Sequence, residues 1–560
     1  MKPTRIKDVV GPIMVGPSSS HTAGALRIAQ MTRNMLSGEP VSAIFTLYGS
    51  FSRTYRGHGT DKALVAGMLG FAADDLRIGD SFEIAEEQGF SFEFVPEPDV
   101  RVSHPNTVEI EATDTTGSTV TVRGVSVGGG VAELQRIDGI DVHVTGEFTC
   151  LIVHQDDHPG VLAHVSGCLA RANVNIGTVA MNRTRPGGDA FVAFDIDDPV
   201  SQETVDEILQ HEAIRSVNVV QKETPRESNG IHSDPRMTPD EAQALFEELD
   251  FDYGTELLEY CEAHGKGIGE TFLEREEAIL AMDGEGPASI AEYLDRVLAV
   301  MRESIDRPIE RPEKSMGGLI GGEAAAMSEL GSRDGSSACS DELSKLSTYA
   351  LAVLETNASM GRIVAAPTAG SAGVLPAVLF TLAEEHGFGR EDLHLALANA
   401  AAVGCLISRN ATVAGAEGGC QAEIGSASAM AASAAVELMG GTPRMCLRAA
   451  SNAIASMLGL VCDPIGGLVE APCQKRNATG AANALVSAQM ALAGMENLVP
   501  FDETVEAMKE VGHSLPPELR ETALGGMAAC PSCSIAGRDR KTAQRHGGAR
   551  RQGRMADRRG

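Results

Sequence analysis

The sequence predicts a multidomain protein: an α+β N-terminal domain, a ferredoxin-like middle unit and a mainly α-helical C-terminal domain. Three observations predict it. Residues 1–145 mix helical and strand periodicities. Residues 146–222 run strand, helix, strand, strand, helix, strand, the split βαββαβ order. From 239 onward the apolar spacing is almost wholly helical, behind a polar, Pro- and Gly-containing linker at 223–238. At 560 residues the chain is too long for one core.

In the first domain, TAGALRIAQMTRNML reads as an amphipathic helix opened by the loop GPSSSH, and SAIFTLYGSF as a strand ending in a Gly-Ser turn. KALVAGMLGFA is a second helix, and FEFVPEPDV, NTVEIEAT and STVTVRGVSVGGG alternate like strands. In the middle unit EFTCLIVHQ, VNIGTVAMNR, DAFVAFDID and SVNVVQ are the strands. DDHPGVLAHVSGCLARAN is a turn entering a helix, with Pro159 near its start, and SQETVDEILQH is the second helix. TPDEAQALFEELDF, SIAEYLDRVLAVMRESID and SDELSKLSTYALAVLETNAS are helices of the third domain (239–533). Its later helices are rich in Ala, Gly, Ser and Met, and Gly-rich breaks at GGLIGGE, APTAGSAG, GAEGG and CDPIGG interrupt them. The last stretch, 534–560, carries nine basic and two acidic residues and almost no apolar ones, which predicts a disordered, solvated basic tail.

Composition narrows the function. Hydrophobic residues make up 43% of the chain, and Trp is absent, so the cores must be built from aliphatic residues and Met. A formal charge of −31 argues against nucleic acid and anionic membranes as partners. MKPTRIKDVVGPIMVG lacks a continuous apolar segment, so no signal peptide is expected, and no stretch is apolar enough to span a bilayer. Eleven cysteines in such a chain suit reduced thiols and metal better than disulfides. A cytoplasmic enzyme is the expectation.

Chemistry-bearing residues collect in loops. GPSSSHTAG packs Ser18, Ser19, Ser20 and His21 before a helix, where backbone N–H groups favour a carboxylate; an ordinary N-cap is the plain alternative. GHGTD sets His58 between two glycines beside Thr60. HPNT adds His104, Asn106 and Thr107, and SVGGG a further turn. Such loops could converge from one sheet edge. SMGGLIGGEAAAM and APTAGSAGVLPAV, the latter with Thr368 and Ser371, look like helix-start loops able to hold a carboxylate or phosphate. Neither has the nucleotide-binding spacing. Cys420, Cys462 and Cys473 follow the spacing C-x41-C-x10-C, each in a Gly- or Pro-rich bend. Three thiolates can hold a cubane iron–sulfur cluster and leave one iron open; three buried structural cysteines are the alternative. Lys475 and Arg476 follow Cys473 and could offset thiolate charge or hold a substrate carboxylate.

With these motifs in view, the chain resembles the iron–sulfur-dependent L-serine dehydratases (L-serine ammonia-lyases). GPSSSHTAG, GHGTD, HPNT and SVGGG look like the family's β portion. GGLIGGEA, APTAGSAGVLPAV, AEGGCQAEIGSAS, VCDPIGGLVEAPCQKRNA and LPPELRETALGGMA look like its α portion. The middle unit, with DHPGVLAHV, is similar to ACT domains, so the β portion, ACT domain and α portion look fused in one chain. The resemblance implies a [4Fe–4S] cluster on Cys420, Cys462 and Cys473, and conversion of L-serine to pyruvate and ammonia, a step of serine catabolism and gluconeogenesis. Within that reaction His58 is the preferred base, with His21 second and His104 as orienting group, since imidazole titrates near neutral pH. Ser18–Ser20, Thr60, Asn106, Thr107, Thr368, Ser371, Lys475 and Arg476 are candidate substrate contacts.

Relatives of one type carry a C-terminal cysteine as a removable fourth ligand. Cys533 stands near that position, with Cys530 as its rival, though a further stretch follows. The ACT resemblance implies pairing into a homodimer or higher homo-oligomer and an amino-acid site at Asp157, Pro159 and Gly160, with L-serine the economical regulatory ligand. Two other functions remain open on the residues: a pyridoxal-phosphate dehydratase, for which no lysine has the setting, and a non-catalytic amino-acid sensor.

Overall fold

The computed structural model describes residues 3–146, 148–221, 236–331 and 337–533. Most of the linker and the whole basic tail lie outside them. Among the described residues no helix is long and apolar enough to cross a membrane.

The chain begins in the C-terminal domain. The short helix Ile6–Val9 buries Ile6, Val9 and Val10 among the residues of the large helical core. Strand β1 (Ile13–Val15) then pairs antiparallel with a strand far along the chain, Arg362–Val364. Arg5 fixes this docking. Its Nε lies 2.8 Å from Glu276 Oε1, its Nη1 3.0 Å from Asp283, and Glu276 also accepts the N–H of Ile6 at 2.9 Å. The N-terminal domain assigned to 1–145 therefore gives its first segment to the helical domain.

The N-terminal sheet contains β2 (Pro40–Tyr48), β3 (Ser91–Glu97), β4 (Thr107–Asp114), β5 (Thr119–Gly128), β6 (Val131–Ile137) and β7 (Ile140–Val144). Their order is β3-β2-β4-β5-β6-β7, with only β2 and β3 parallel. Helices Gly24–Arg33 and Thr60–Met68 pack together, the former also against β5 and β6. The β6–β7 hairpin is an addition to the sequence reading. It turns at Asp138 (φ 48°) and Gly139 (φ 81°), the Asp-Gly pair that tight hairpins select.

The middle unit folds in the predicted order. β8 (Thr149–Asp156), β9 (Ile176–Arg183), β10 (Asp189–Ile196) and β11 (Ile214–Val220) form an antiparallel sheet in the order β11-β8-β10-β9. Strand alternation divides its side chains between two cores. Leu151, Val153, Val192 and Phe194 pack under helices Val161–Arg171 and Gln202–Ile208, while Cys150, Ile152, Phe191 and Ala193 join the core of the N-terminal domain.

The C-terminal domain is built around helix Ser426–Leu438, SASAMAASAAVEL, whose residues 426–436 are all buried. A helix apolar or small all round must be surrounded. Helices Val374–His386, Arg390–Asn410, Pro443–Ala455 and Cys473–Leu492 surround it. Small side chains let these backbones approach, and the arrangement anchors two cysteines: Cys420 lies just before the central helix and Cys473 opens one of its neighbours.

Arg5 and Glu276 are 6% and 2% exposed, so breaking their pair strands a buried charge. Arg5→Ala should destabilise the protein by about 3–5 kcal/mol, whereas the pair Arg5→Met with Glu276→Leu should recover most of the loss. Thermal unfolding checks this; equal destabilisation by both variants contradicts the docking role.

Candidate active site at the domain junction

The N-terminal domain brings three polar loops together. Ser18 caps the turn Ser19–Ala23, its Oγ accepting from the His21 N–H at 3.1 Å. His21 Nδ1 lies 3.2 Å from Ser20 Oγ, and its Nε2 2.9 Å from Ser50 Oγ. Ser19 is buried and Ser20 half-buried. Thr22 donates to the carbonyl of His58 at 2.7 Å, which locks the second loop to the first. The rings of His21 and His58 stack, with centroids 4.4 Å apart and planes 25° apart. In the third loop His104 Nδ1 accepts from Asn106 N at 3.2 Å, Thr107 donates to the His104 carbonyl at 2.6 Å, and the Pro105 carbonyl accepts from Ser50 N at 2.7 Å. Among the described residues, Thr60 Oγ1, Asn106 Oδ1 and His58 Nε2 are buried without a hydrogen-bond partner.

The C-terminal domain closes this face with a residue that sequence reasoning missed. Glu521 Oε1 sits 3.5 Å from His58 Nε2 and 4.0 Å from His21 Nδ1. Its backbone is held against a cysteine loop: Glu521 N donates to the Cys462 carbonyl and Cys462 N to the Leu519 carbonyl, both at 2.9 Å. Its φ of +58° is rare for a side chain of this size, so the loop geometry imposes it. No spacing in ELRETALGG marks this glutamate. Gly57 makes the close approach possible, since a Cβ there would lie 2.5 Å from the Gly467 carbonyl oxygen.

Charge in the trio is set by burial. Burial, and then the neighbouring His58, push the His21 imidazole down to about 3. Burial would raise Glu521, but the facing His58 and the charge of His21 outweigh it and hold the carboxyl below its ordinary value. The three groups offer ligand atoms within 4.8 Å of one another. Yet stacked imidazoles keep their in-plane lone pairs in nearly parallel planes, so the geometry suits proton sharing better than clasping one ion.

Cys420, Cys462 and Cys473 are all buried and lie close enough to perturb one another. Burial, then the charges of Glu423 and Glu521, push the Cys462 thiol far above its usual range, and burial followed by Glu423 pushes Cys473 up to about 12. Arg476 is the cation among them. Its guanidinium lies near enough to the Cys420 thiol to lower its pKa against the effect of burial, pairs with Asp463 at 2.8 Å and donates to the Val461 carbonyl at 2.8 Å. Helical spacing explains why Arg476 and not Lys475 sits here: three residues from Cys473 lie on its own face, two residues away do not. Lys475 is exposed.

Thr368 donates to Glu423 at 2.9 Å and lies 3.1 Å from Ser371 Oγ. Burial and the charge of Glu521 raise Glu423 to about 8. Asp463 also accepts the Met527 N–H at 2.6 Å, pinning the segment that ends in the half-buried Cys530 and Cys533. That segment needs Gly526, where φ is +58° and a Cβ would meet Asp463 Oδ2 at 2.3 Å.

One loop read as a ligand cradle is filled by the protein itself. In SMGGLIGGEA, Glu470 accepts from Gly317 N and Leu319 N, and Glu355 from Gly322 N and Ala324 N. In the middle unit Asp157 accepts from Gly187 N at 3.0 Å and pairs with Arg183. Pro159 and Gly160 are exposed at the start of helix Val161–Arg171.

Residues 10–136 match the family described as serine dehydratase beta chain, 149–213 the ACT domain, and 206–528 serine dehydratase alpha chain. The L-serine dehydratase of Streptomyces coelicolor is 30% identical over 529 residues, covering 92% of this chain and 96% of that protein. The chain belongs to the serine dehydratase family. It joins in one polypeptide what other members divide. The L-serine dehydratase alpha chain of Peptoniphilus asaccharolyticus is 46% identical over 273 residues, 49% of this chain and 92% of that one. The beta chain of the same organism is 36% identical over 214 residues, 38% of this chain and 96% of that one. Fusion of the beta, ACT and alpha parts is thus a property of this member.

The buried trio has a pH signature. An unfolded histidine titrates near 6.5 and His21 near 3, so the unfolded state binds the extra proton over that interval. Glu521, also depressed, acts in the same direction. Stability should therefore be full at neutral pH and fall as pH drops below about 6.5, by up to about 1.4 kcal/mol per unit for one group. His21→Asn should flatten the slope between about pH 6.5 and 5 in chemical unfolding. An unchanged slope contradicts the assignment.

Proposed function

We propose that this chain is a cytoplasmic iron–sulfur-dependent L-serine dehydratase, a lyase that converts L-serine to pyruvate and ammonia. The observation that carries the reading is His58 Nε2 facing the buried Glu521 carboxylate at 3.5 Å, at a junction that also holds three buried cysteines. The two relatives cited for Peptoniphilus asaccharolyticus and the one for Streptomyces coelicolor carry the L-serine dehydratase name.

The donor set fits a cluster. Thiols this deeply buried among acidic groups stay protonated unless a cation takes the protons' place, and Arg476 alone balances one charge of three. Cys420, Cys462 and Cys473 would hold a [4Fe–4S] cluster, with Cys533 or Cys530 as a removable fourth ligand. When bound, such a cluster supplies an open iron as Lewis acid toward the serine hydroxyl.

The remaining chemistry belongs to the chain. His58 Nε2 takes the Cα proton, and the Glu521 carboxylate stabilises the imidazolium that results. His21, neutral and fixed by Ser50, walls the site and orients His58 by stacking. His104 backs the His21 loop through Pro105 and Ser50. Ser18–Ser20, Thr60, Asn106 and Thr107 on one side, and Thr368, Ser371 and Arg476 on the other, bind the substrate's polar groups. Loss of water leaves aminoacrylate, which tautomerises to the imine and takes up water to release ammonia and pyruvate. L-serine is also the proposed regulatory ligand of the ACT unit at Asp157, Pro159 and Gly160, in a homodimer or larger homo-oligomer.

Anaerobically purified protein should turn over L-serine. Cys462→Ser should lose most of its iron and its activity, while Cys405→Ser, on a helix away from the cysteine loops, keeps both. His58→Ala should retain iron and lower kcat by about 10²–10⁴-fold. Full iron and normal turnover in Cys462→Ser would overturn the ligand assignment.

A further inference from the structure

We propose that the N-terminal sheet carries a second, basic site for a small oxyanion, built by Arg101, Arg123 and Arg136 and linked to the buried histidines by the 103–107 loop. A cavity of about 230 Å³ lies on this sheet, lined by these three arginines with Ser103, Thr107 and Asp141 among others. Against roughly 30 Å³ for one water, that volume admits a phosphate or a small carboxylate.

Three guanidinium groups stand against two carboxylates here, Asp141 in the lining and Glu109 beside Arg123, which leaves a local excess of positive charge in a chain whose net charge is −31. Two of the arginines are held in place and still have donors to give. Arg123 contacts Glu109 through Nε at 3.0 Å and Nη2 at 2.8 Å and lies 5.4 Å over the Tyr48 ring, which leaves Nη1 free of that pair. Arg136 uses Nε and Nη2 on Asp141, at 2.9 and 2.8 Å, and likewise leaves Nη1. Arg101, at the exposed mouth, makes no ion pair or hydrogen bond with the described residues. A guanidinium carries five N–H donors in a planar fork suited to carboxylate or phosphate oxygens. An oxyanion would satisfy the spare donors and balance the charge of Arg101, which has no acidic partner among the described residues.

The linkage follows from one loop. Ser103 and Thr107 line the cavity, and His104 lies between them, joined to Thr107 and Asn106 by the bonds already described. Pro105 accepts from Ser50, and Ser50 touches His21. On the other side β2 ends at Tyr48, beneath Arg123, two residues before Ser50. An anion that tightens this loop therefore acts on the residues that fix His21. The binding claim is independent of the serine reading; the linkage claim rests on it.

Titration calorimetry on the full-length protein at low salt, with inorganic phosphate and separately with succinate, tests the site. Saturable binding of either supports it, phosphate alone marking a phosphate site and succinate alone a carboxylate site. Arg101→Gln and Arg136→Gln should each weaken that binding by about tenfold or more, the worth of one charge-assisted hydrogen bond. Both residues are at the surface, and unchanged thermal unfolding will show that the variants fold. No saturable binding of either anion, or equal binding by both variants, overturns the site. The bound anion should change the KM for L-serine several-fold in the parent and not in Arg101→Gln. Binding without any change in KM overturns the linkage, while failure of serine turnover with anion binding intact would fault the serine reading alone.

Discussion

The structure depends on a carboxylate brought across a domain junction. Glu521 belongs to the helical domain, yet its side chain lies against His58 and His21 of the N-terminal domain. Its backbone is hydrogen-bonded to the Cys462 loop. One residue thus reports the position of a cysteine to a pair of histidines. Neither domain holds the site alone. The docking of the N-terminal segment into the helical core, through Arg5 and the β1 pairing, is a second tie between the two domains.

Burial sets the chemistry of this junction. The same exclusion of water that keeps His21 neutral raises the cysteine thiols and Glu423. Acidic side chains and thiols so placed would repel one another as anions, which makes Arg476 and its partner Asp463 central. Asp463 orients the guanidinium toward the cysteines and also holds the segment that follows Glu521. Buried carboxylates serve elsewhere as internal caps, Glu470 and Glu355 occupying the N–H groups of the 315–324 turns. Met316, in the first of those turns, lies beside Gly59, so this capping also braces the His58 loop.

The parts of this architecture that were legible in the sequence are those written in local periodicity. Alternation over 149–220 reveals the middle sheet, because strands such as β8 and β10 feed two cores and so carry a regular pattern. The loops around His21, His58 and His104 were visible as polar, glycine-rich breaks. What was not legible depends on distant partners. Glu521 looks like any surface glutamate beside a proline-rich turn, and its importance comes from pairing with residues 463 and 500 positions away in sequence. The N-terminal segment reads as part of its own domain because Arg5 and Glu276 are 271 residues apart. SMGGLIGGEA has the composition of an anion cradle and is one, but its anions are the protein's own. The Asp138-Gly139 pair, by contrast, is a local hairpin signal that the sequence does carry.

The central claim is that Glu521 and His58 act as one unit across the junction. A double-mutant cycle on kcat/KM for L-serine, with His58→Asn, Glu521→Gln and the pair, tests it most directly. The account predicts strong non-additivity: once His58 is gone, removing the Glu521 charge should cost little more, and every variant should keep its iron. Additive losses in the pair would show that the two residues act independently, and would contradict the account.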